Sequence, residues 1–314
     1  MEQNKFDKTV MDIAQNYSEN KVFLSAADMR PPSRNNIIGL IKQLRNLFFP
    51  GYFADRNFSI TNAQYFIGNL MHDIYTELVK QVDFAICYSK SSDTECEKCP
   101  KSGNMALAHS IADEFMAKLP ALQQQIMNDV EAGFNGDPAA KSLQDVIISY
   151  PGVFAVFVYR LAHELCVEHV PYIPRIMTEY AHSLTGMDIN PGAIIGRNFF
   201  VDHGTGLVIG ETTEIGDNVK LYQGVTLGAL STRKGQLLRD KKRHPTIEND
   251  VTIYSGATIL GGNTVIGAHS VIGGNTFLTS SVPPYSKVSI KAPDLTIRQE
   301  VPGADPMESW DWHI

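Results

Sequence analysis

The chain has 314 residues, of which 43% are hydrophobic and 19% are charged. This length and composition suit two domains of ordinary size and exclude a disordered chain, a coiled coil and a collagen-like protein. The formal net charge of −7 argues against a nucleic-acid or anionic-membrane partner, because such partners require a basic face. Of the 24 glycines, 16 lie within residues 186–274 and only seven precede them, so we expect the architecture to change near residue 185.

The amino terminus lacks the basic start and apolar stretch of a secretory signal, and no apolar run approaches the ~20 residues of a membrane-spanning helix. We therefore expect a cytoplasmic protein. Four cysteines in such a compartment argue against a disulfide framework. Cys96 and Cys99 form a single Cys-x-x-Cys, which could hold a metal with Cys87 and His109 or act as a redox pair. Thiols in or beside a loop are the favoured interpretation, because the sequence has no second such pair.

Residues 1–185 are predicted to form an α-helical N-terminal domain. Apolar residues recur there at three- and four-residue steps, as in amphipathic helices. The predicted helices cover residues 37–48, 67–82, 107–115, 122–130 and 153–170 and the segment after residue 174. Pro120 is expected to separate the third helix from the fourth, and Asp137-Pro138 to open another as N-cap and first helical residue. Gly186 is expected to stop the last one.

The glycine-rich half repeats an aliphatic residue followed by glycine, largely in steps of six or multiples of six. The pairs are Ile195-Gly196, Ile209-Gly210, Ile215-Gly216, Leu227-Gly228, Leu260-Gly261, Ile266-Gly267 and Ile272-Gly273. A period of six fits neither a helix nor a simple alternating strand, but it is typical of short strands wound into a parallel β-helix. The aliphatic residue is expected to point inward, and the glycine to let the chain turn a corner. We assign residues 186–290 to this domain and 291–314 to a flexible C-terminal tail.

The longest interruption of the repeat lies between Leu227 and Ile247. Its many basic and polar residues are excluded from the interior, so residues 229–244 are predicted to form an extruded loop. Loops on a rigid scaffold often carry functional residues, and this one ends in Arg243 and His244. A solvated linker is the alternative.

A second interruption adds two residues around Asp202-His203. Asp188 lies 15 residues before His203, somewhat less than one coil of about 18 residues, so its carboxylate could stack near the imidazole. A carboxylate on one ring nitrogen fixes the tautomer and leaves the other nitrogen as a base. The alternative is a surface histidine in an ordinary turn.

Several strings in the chain match a known enzyme family. They are MDINPGA at 187–193, VDHGTG at 201–206, GET at 210–212, VTLG at 225–228 and RHP at 243–245, with GDPA at 136–139 and YRLAH at 159–163 upstream. Over about residues 120–285 the chain thereby resembles the serine O-acetyltransferases, which are hexapeptide-repeat acyltransferases. The resemblance implies an α+β fold in which the helical domain precedes a left-handed parallel β-helix. It also implies a homotrimer or a dimer of trimers, with active sites between neighbouring β-helices.

The reaction implied by the resemblance is acetyl transfer from acetyl-CoA, as co-substrate, to the hydroxyl of L-serine. The product would be O-acetyl-L-serine for cysteine biosynthesis, and no metal is expected. His203 would be the general base and Asp188 its orienting carboxylate. Asn190 departs from the family, which often has histidine there, and the loop before Arg243 is longer than in the shorter relatives.

The resemblance also implies binding residues for both substrates. Those for L-serine are Asp137 and Asp202 at its ammonium group, Arg243 at its carboxylate and His244, which would help to place it. Those for the pantetheine arm of the coenzyme are Gly228, Ala229, Ser255, Gly256 and Gly274. Structural glycines at β-helix corners would look the same in sequence, so this second set has an equally good structural explanation.

The resemblance implies a protein partner as well. In this family a terminal isoleucine can dock in the active site of O-acetylserine sulfhydrylase, and Ile314 would do so here. A plain disordered end is the alternative. Feedback inhibition by L-cysteine is left open by the sequence.

Three other functions are considered. The same fold could acetylate another hydroxyl acceptor, such as homoserine or a sugar, or it could be a non-catalytic scaffold for a sulfhydrylase. A γ-type carbonic anhydrase would need three histidines around zinc, and the available set is His203, His244 and His269. That set is disfavoured, because His269 lies among ordinary hexapeptides.

Overall fold

The computed structural model describes residues 3–23, 30–54, 61, 63–90, 103–233 and 235–291. Its α-helices are α1 Gln3–Glu19, α2 Arg34–Phe48, α3 Pro50–Phe53, α4 Ala63–Lys90, α5 Gly103–Gly136, α6 Leu143–Ser149, α7 Pro151–Val167 and α8 Ile173–Thr185. All precede the strands, so the predicted order of a helical region and then a strand region is confirmed. Cys96, Cys99 and the tail with Ile314 lie outside the described residues, and their predicted roles stay predictions.

Two expectations about the helices are wrong. Pro120 does not separate two helices, because α5 continues through it. Leu119 and Leu122 on either side are buried in one core, and this packing outweighs the backbone hydrogen bond that proline removes. Asp137-Pro138 does not open α6 either: Ser142 is its N-cap and accepts a hydrogen bond from a backbone N–H of the first turn at 3.1 Å.

Short strands follow the helices, and consecutive ones join three parallel sheets in turn. Sheet 1 contains β1 Asp188–Ile189, β4 Val208–Ile209, β7 Thr226–Gly228, β10 Thr258–Leu260 and β13 Phe277–Leu278. Sheet 2 contains β2 Ile194–Ile195, β5 Glu214–Ile215, β8 Thr246–Ile247 and β11 Val265–Ile266. Sheet 3 contains β3 Phe200–Val201, β6 Lys220–Leu221, β9 Thr252–Ile253, β12 Val271–Ile272 and β14 Lys287–Val288. This winding is that of a left-handed parallel β-helix, as predicted.

Three corners join the sheets and are named by the sheets they connect. The 3–1 corner comprises residues 202–207, 222–225, 254–257 and 273–276. The 1–2 corner comprises residues 190–193, 210–213, 229–245 and 261–264. The 2–3 corner comprises residues 196–199, 216–219, 248–251 and 267–270. The register shows where the repeat is interrupted. Val208 pairs with Thr226, 18 residues on, whereas Asp188 pairs with Val208, 20 residues on, so the excess lies before Val208 as expected. The segment 229–244 leaves the coil between β7 and β8.

The aliphatic residues of the repeat fill the interior. Most of the glycines after them lie at corners but do not take the positive φ by which the chain turns there. A Cβ at Gly196 would lie 2.6 Å from the backbone of Gly216 in the next coil, and neither glycine has positive φ. These glycines are needed because successive coils approach too closely for a side chain. Corner residues such as Asn198 and Asn218 take the positive φ instead, and Gly261 is the exception among the pairs.

Helix α7 contributes to both apolar cores. Phe157 and Val158 pack among the helices, whereas Val156 and Tyr159 pack against the interior of the β-helix. The predicted division near residue 185 stays a prediction. No single described helix is long and apolar enough to span a membrane, and α6 with α7 meets that test only as a pair bent by 76°.

The first coil of the β-helix is covered by a buried ion pair. Arg160 on α7 and Asp129 on α5 are joined by two contacts of 3.0 and 3.1 Å. The Arg160 guanidinium also donates to the carbonyls of Ile195 at 2.5 Å and Gly196 at 2.6 Å, and Asp129 accepts from Phe199 N–H at 2.9 Å. These backbone groups lie at the open end of the coil, so the ion pair satisfies them where no strand does.

We expect Arg160→Met to lower the free energy of unfolding by about 3–5 kcal/mol, because it leaves the Asp129 carboxylate buried without its partner. Arg197→Met is the matched control, since Arg197 pairs with Asp217 at 2.9 Å but is 71% exposed. Its loss should cost at most about 1 kcal/mol. Urea unfolding at one protein concentration measures both, and similar losses in the two variants would contradict the proposed importance of the buried pair.

Candidate active site

Polar side chains from distant parts of the chain meet beside the 3–1 corner. Tyr150, which precedes α7, donates a hydrogen bond from its hydroxyl to Asp137 Oδ2 at 2.5 Å. Lys220 Nζ, at the start of β6, lies 3.3 Å from Asp202 Oδ2, and His203 Nε2 lies 3.8 Å from Asp202 Oδ1. The structure therefore places Asp137, Asp202 and His203, three of the predicted site residues, around one cluster.

The surroundings of Asp137 favour its negatively charged form, which can bind a positive charge. The hydrogen bond from Tyr150 lowers the pKa of Asp137, the Ala139 N–H at 2.8 Å lowers it further, and the charges of Lys220 and His203 act in the same direction. The same bond to Asp137 raises the pKa of Tyr150 to about 12, so the tyrosine remains a donor. Asp137 is thus an ionised carboxylate in a turn, and not the helix N-cap expected from its sequence.

Sequence reasoning missed Tyr150 and Lys220. Lys220 Nζ donates to the carbonyl of Gly136 at 2.5 Å and lies 4.6 Å from the centre of the Tyr222 ring. It therefore links the backbone next to Asp137 with Asp202. No pattern in the sequence distinguishes Lys220 from any other lysine on an outward strand position, because its link to the backbone beside Asp137 spans 84 residues.

Asp188 lies one coil away from the corner that carries His203. Its backbone N–H donates to the carbonyl of Leu207 at 2.9 Å, so the first coil stacks directly on the segment after His203. Its carboxylate pairs with Arg175 at 3.4 Å. His203 is 70% exposed and, within the described chain, makes no hydrogen bond or ion pair with Asp188. The orienting role of Asp188 stays a prediction.

Arg243 and His244 lie at the 1–2 corner, against the turn that holds Glu211 and Thr212. The Arg243 guanidinium pairs with Glu211, and the backbone N–H of Arg243 donates to Thr212 Oγ1 at 2.9 Å. His244 is buried, and its Nδ1 lies 3.0 Å from the N–H and 2.9 Å from the hydroxyl of Thr212. Because Nδ1 accepts from the N–H, the neutral ring carries its proton on Nε2.

The environment of His244 keeps this ring neutral. Burial first, and then the positive charges of Arg243 and Lys242, lowers its pKa to about 4. His244 is therefore suited to donate a hydrogen bond from Nε2 and unsuited to act as a cation at neutral pH.

The predicted serine ligands do not all meet in one chain. Asp202 and His203 lie at the 3–1 corner, where strands of sheet 1 begin, whereas Arg243 and His244 lie at the 1–2 corner, where those strands end. The predicted pantetheine residues are divided in the same way. Ser255, Gly256 and Gly274 belong to the 3–1 corner, and Gly228 and Ala229 lie at the far edge of sheet 1.

The glycines of the pantetheine set have structural reasons of their own. Gly256 has φ of +71°, and its N–H already donates to the carbonyl of Gln223 at 3.0 Å. A Cβ at Gly228 would lie 2.8 Å from the Leu260 side chain. Contact of these residues with coenzyme stays a prediction.

The three histidines considered for zinc are dispersed. His203 is at the 3–1 corner, His244 at the 1–2 corner, and His269 at the 2–3 corner, where it stacks on Tyr285 at 4.7 Å and lies 3.6 Å from Asp250. They do not converge on one ion in this chain. His109 Nδ1 lies 2.9 Å from the Tyr75 hydroxyl, which gives it a partner other than a metal.

Two of three comparisons with known proteins identify one family, and the third found nothing. A scan against protein-family models found no match. The chain is 42% identical over 261 residues to the plasmid serine acetyltransferase of Synechococcus elongatus, covering 82% of this chain and 81% of that protein.

Solved structures give the same answer. Serine acetyltransferase isoform 3 of Entamoeba histolytica, in complex with cysteine, superposes with a TM-score of 0.70 at 29% identity, over 93% of this chain and 94% of that one. The native serine acetyltransferase 1 of that organism gives 0.65 at 35% identity, over 84% and 90%. By sequence and by fold, the chain belongs to the serine acetyltransferase family.

Proposed function

We propose that the protein transfers the acetyl group of acetyl-CoA to the hydroxyl of L-serine, giving O-acetyl-L-serine and free CoA. The observation that carries this proposal is the cluster at the 3–1 corner, where two carboxylates, Asp137 and Asp202, lie beside the exposed imidazole of His203. An amino acid bound through its ammonium group would present its hydroxyl to a neighbouring base. Membership of the family supports the same reaction.

Each charged end of serine has an opposite partner. Asp137 and Asp202 bind the ammonium group, and Lys220 offsets part of their mutual repulsion while leaving net negative charge. Arg243 binds the carboxylate, and the Nε2–H of His244 donates a further hydrogen bond to the substrate. These contacts orient the hydroxyl and reduce the entropy lost in reaching the transition state.

His203 removes the hydroxyl proton as the serine oxygen bonds to the thioester carbonyl carbon. The C–S bond then breaks, and the proton passes from His203 to the CoA sulfur, so atoms and charge balance. A positioned base contributes about 10²- to 10⁴-fold to such a step. Asp188 orients the ring from the adjacent coil.

We propose a homotrimer, because the site is incomplete in one chain. The base and the ammonium ligands lie at one edge of sheet 1 and Arg243 with His244 at the other. A ring of three copies brings the 3–1 corner of one chain to the 1–2 corner of the next, and it closes without leftover surfaces.

L-cysteine is proposed as a competitor of L-serine. It has the same ammonium and carboxylate groups and differs only in carrying a thiol in place of the hydroxyl, so the same ligands would hold it. The solved Entamoeba isoform 3 structure contains cysteine. The sulfhydrylase interaction proposed for Ile314 rests on the sequence resemblance alone.

We expect His203→Asn to lower kcat with L-serine by about 10²- to 10⁴-fold, since the base is lost while the fold is kept. His269→Asn, at an exposed corner histidine remote from the cluster, should retain activity within twofold. The assay follows serine-dependent release of CoA thiol, with homoserine as the competing acceptor. Full activity of the His203 variant would refute the mechanism, and faster turnover of homoserine would reassign the substrate.

The buried neutral state of His244 predicts a loss of stability in acid. Below pH 6.5 the unfolded chain binds a proton at this ring, but the folded chain does so only near pH 4, so stability falls as pH drops between those values. The full effect is at most about 3 kcal/mol. Unfolding of His244→Asn should show a shallower decline than the parent chain, with His203→Asn as the control. Parallel pH curves would contradict the buried neutral ring.

A further inference from the structure

Four ionisable side chains cluster where α8 meets the first coil. Arg175 Nη2 lies 2.5 Å from Glu179 Oε1, and Arg175 Nη1 lies 3.4 Å from Asp188 Oδ1. His182 Nδ1 lies 3.3 Å from the other oxygen of Glu179. The proposed reaction uses only Asp188 among these four side chains and gives no role to the other three.

The guanidinium spans two carboxylates that come from different elements. Glu179 is one turn further along α8, and Asp188 is the first residue of β1. The two terminal nitrogens of Arg175 point to different partners, and the rigid planar guanidinium fixes the angle between these two contacts, which a lysine ammonium on its flexible stem does not. His182 contacts the other oxygen of Glu179 and thereby restrains the carboxylate that pairs with Arg175.

The backbone explains why Asp188 needs such a partner. Helix α8 ends at Thr185 and is capped by Gly186 in the left-handed conformation, and the side chain of the next residue, Met187, is fully buried. Asp188 therefore follows directly after a helix C-terminus, whose partial negative charge is unfavourable for a carboxylate. The positive charge of Arg175 offsets this repulsion.

A divalent cation would be the other way to satisfy this cluster. Glu179, His182 and Asp188 each offer a ligand atom, and these atoms lie within 4.8 Å of one another. Arg175 already contacts two of the three, so the structure contains its own cation at this place. The cluster is thereby complete without a metal.

We propose that Arg175 is a positioning residue for acetyl transfer: it holds one oxygen of Asp188 and leaves the other to orient His203. This rests on the proposed function, in which Asp188 orients the base. The four side chains are partly exposed, between 28% and 45%, and ion pairs this exposed contribute little to folding. A role in orientation should therefore appear in catalysis and not in stability.

The test compares Arg175→Lys and Arg175→Ala with Arg197→Lys and Arg197→Ala, all in the full-length protein. We expect both Arg175 variants to lower kcat about tenfold, the size of a lost orienting contact, with KM for L-serine and for acetyl-CoA within twofold. The lysine variant should not restore kcat, because it keeps the charge but loses the fork. The Arg197 variants should keep the parent kcat.

Chemical rescue separates positioning from folding. Guanidinium chloride at a sub-denaturing concentration should restore part of the kcat of Arg175→Ala, whereas sodium chloride of equal ionic strength should not. Failure of rescue together with a lowered melting temperature would overturn the proposal, as would parent-like kcat in Arg175→Ala. Loss of activity on adding a chelator to the parent enzyme, reversed by a divalent cation, would overturn it in favour of a metal site.

Asp188→Asn distinguishes failure here from failure of the proposed function. We expect it to lower kcat more than either Arg175 variant does. A fully active Asp188→Asn would remove the orienting carboxylate from the mechanism, and the role of Arg175 with it. An impaired Asp188→Asn beside fully active Arg175 variants would overturn the role of Arg175 alone.

Discussion

The first coil of a β-helix has no coil before it, so the peptide groups along its open end need other partners. In this protein Arg160 and Asp129 bind three of these groups, the carbonyls of Ile195 and Gly196 and the N–H of Phe199, and the Tyr159 hydroxyl donates to the carbonyl of Ala193 at 2.6 Å. Arg160 and Asp129 are buried, and their hydrogen bonds to the backbone of the first coil fix how α5 and α7 are seated on it. This packing also shapes the candidate site. Asp137 follows the end of α5, and Tyr150 precedes α7, so the same contacts that close the coil also carry both residues to the corner of His203.

The proposed site depends on a balance of charge. Two carboxylates that converge on one ammonium group repel each other when the group is absent, and Lys220 reduces that repulsion from within the chain. At the opposite edge of sheet 1, Glu211 plays the corresponding part for Arg243. Asp202 and Arg243, two of the charges proposed to bind substrate, therefore each have a partner of opposite sign within the chain. This division between two edges is the physical reason for proposing a homotrimer in which neighbouring chains complete each site.

Much of the fold was predictable because its signals are local. The aliphatic residue before each glycine is forced inward by the period of six, and His203 and His244 are conspicuous because they interrupt that period. Predictions failed where a local signal competed with packing. Pro120 is a helix breaker by itself, but α5 continues through it because residues on both sides are buried. Asp137-Pro138 resembles a helix start, but Asp137 lies in a turn and accepts a hydrogen bond from Tyr150. The sequence locates the glycines of the repeat but suggests a role in turning corners, whereas most are needed because the next coil approaches too closely for a side chain. This close approach cannot be seen in the sequence of a single coil.

The sequence by itself determined that a helical region precedes a β-helix, where the coil is interrupted, and which histidines and carboxylates stand at the interruptions. It could do so because a repeat of six residues encodes inward and outward positions within each strand. Only the tertiary structure decided which side chains meet: Lys220 with Asp202, Tyr150 with Asp137, and Arg175 with Asp188. Lys220 and Asp202 meet because adjacent coils stack, whereas the other two pairs depend on how helices seat on coils. That seating follows from the burial of side chains such as Arg160, whose partners no sequence period reveals.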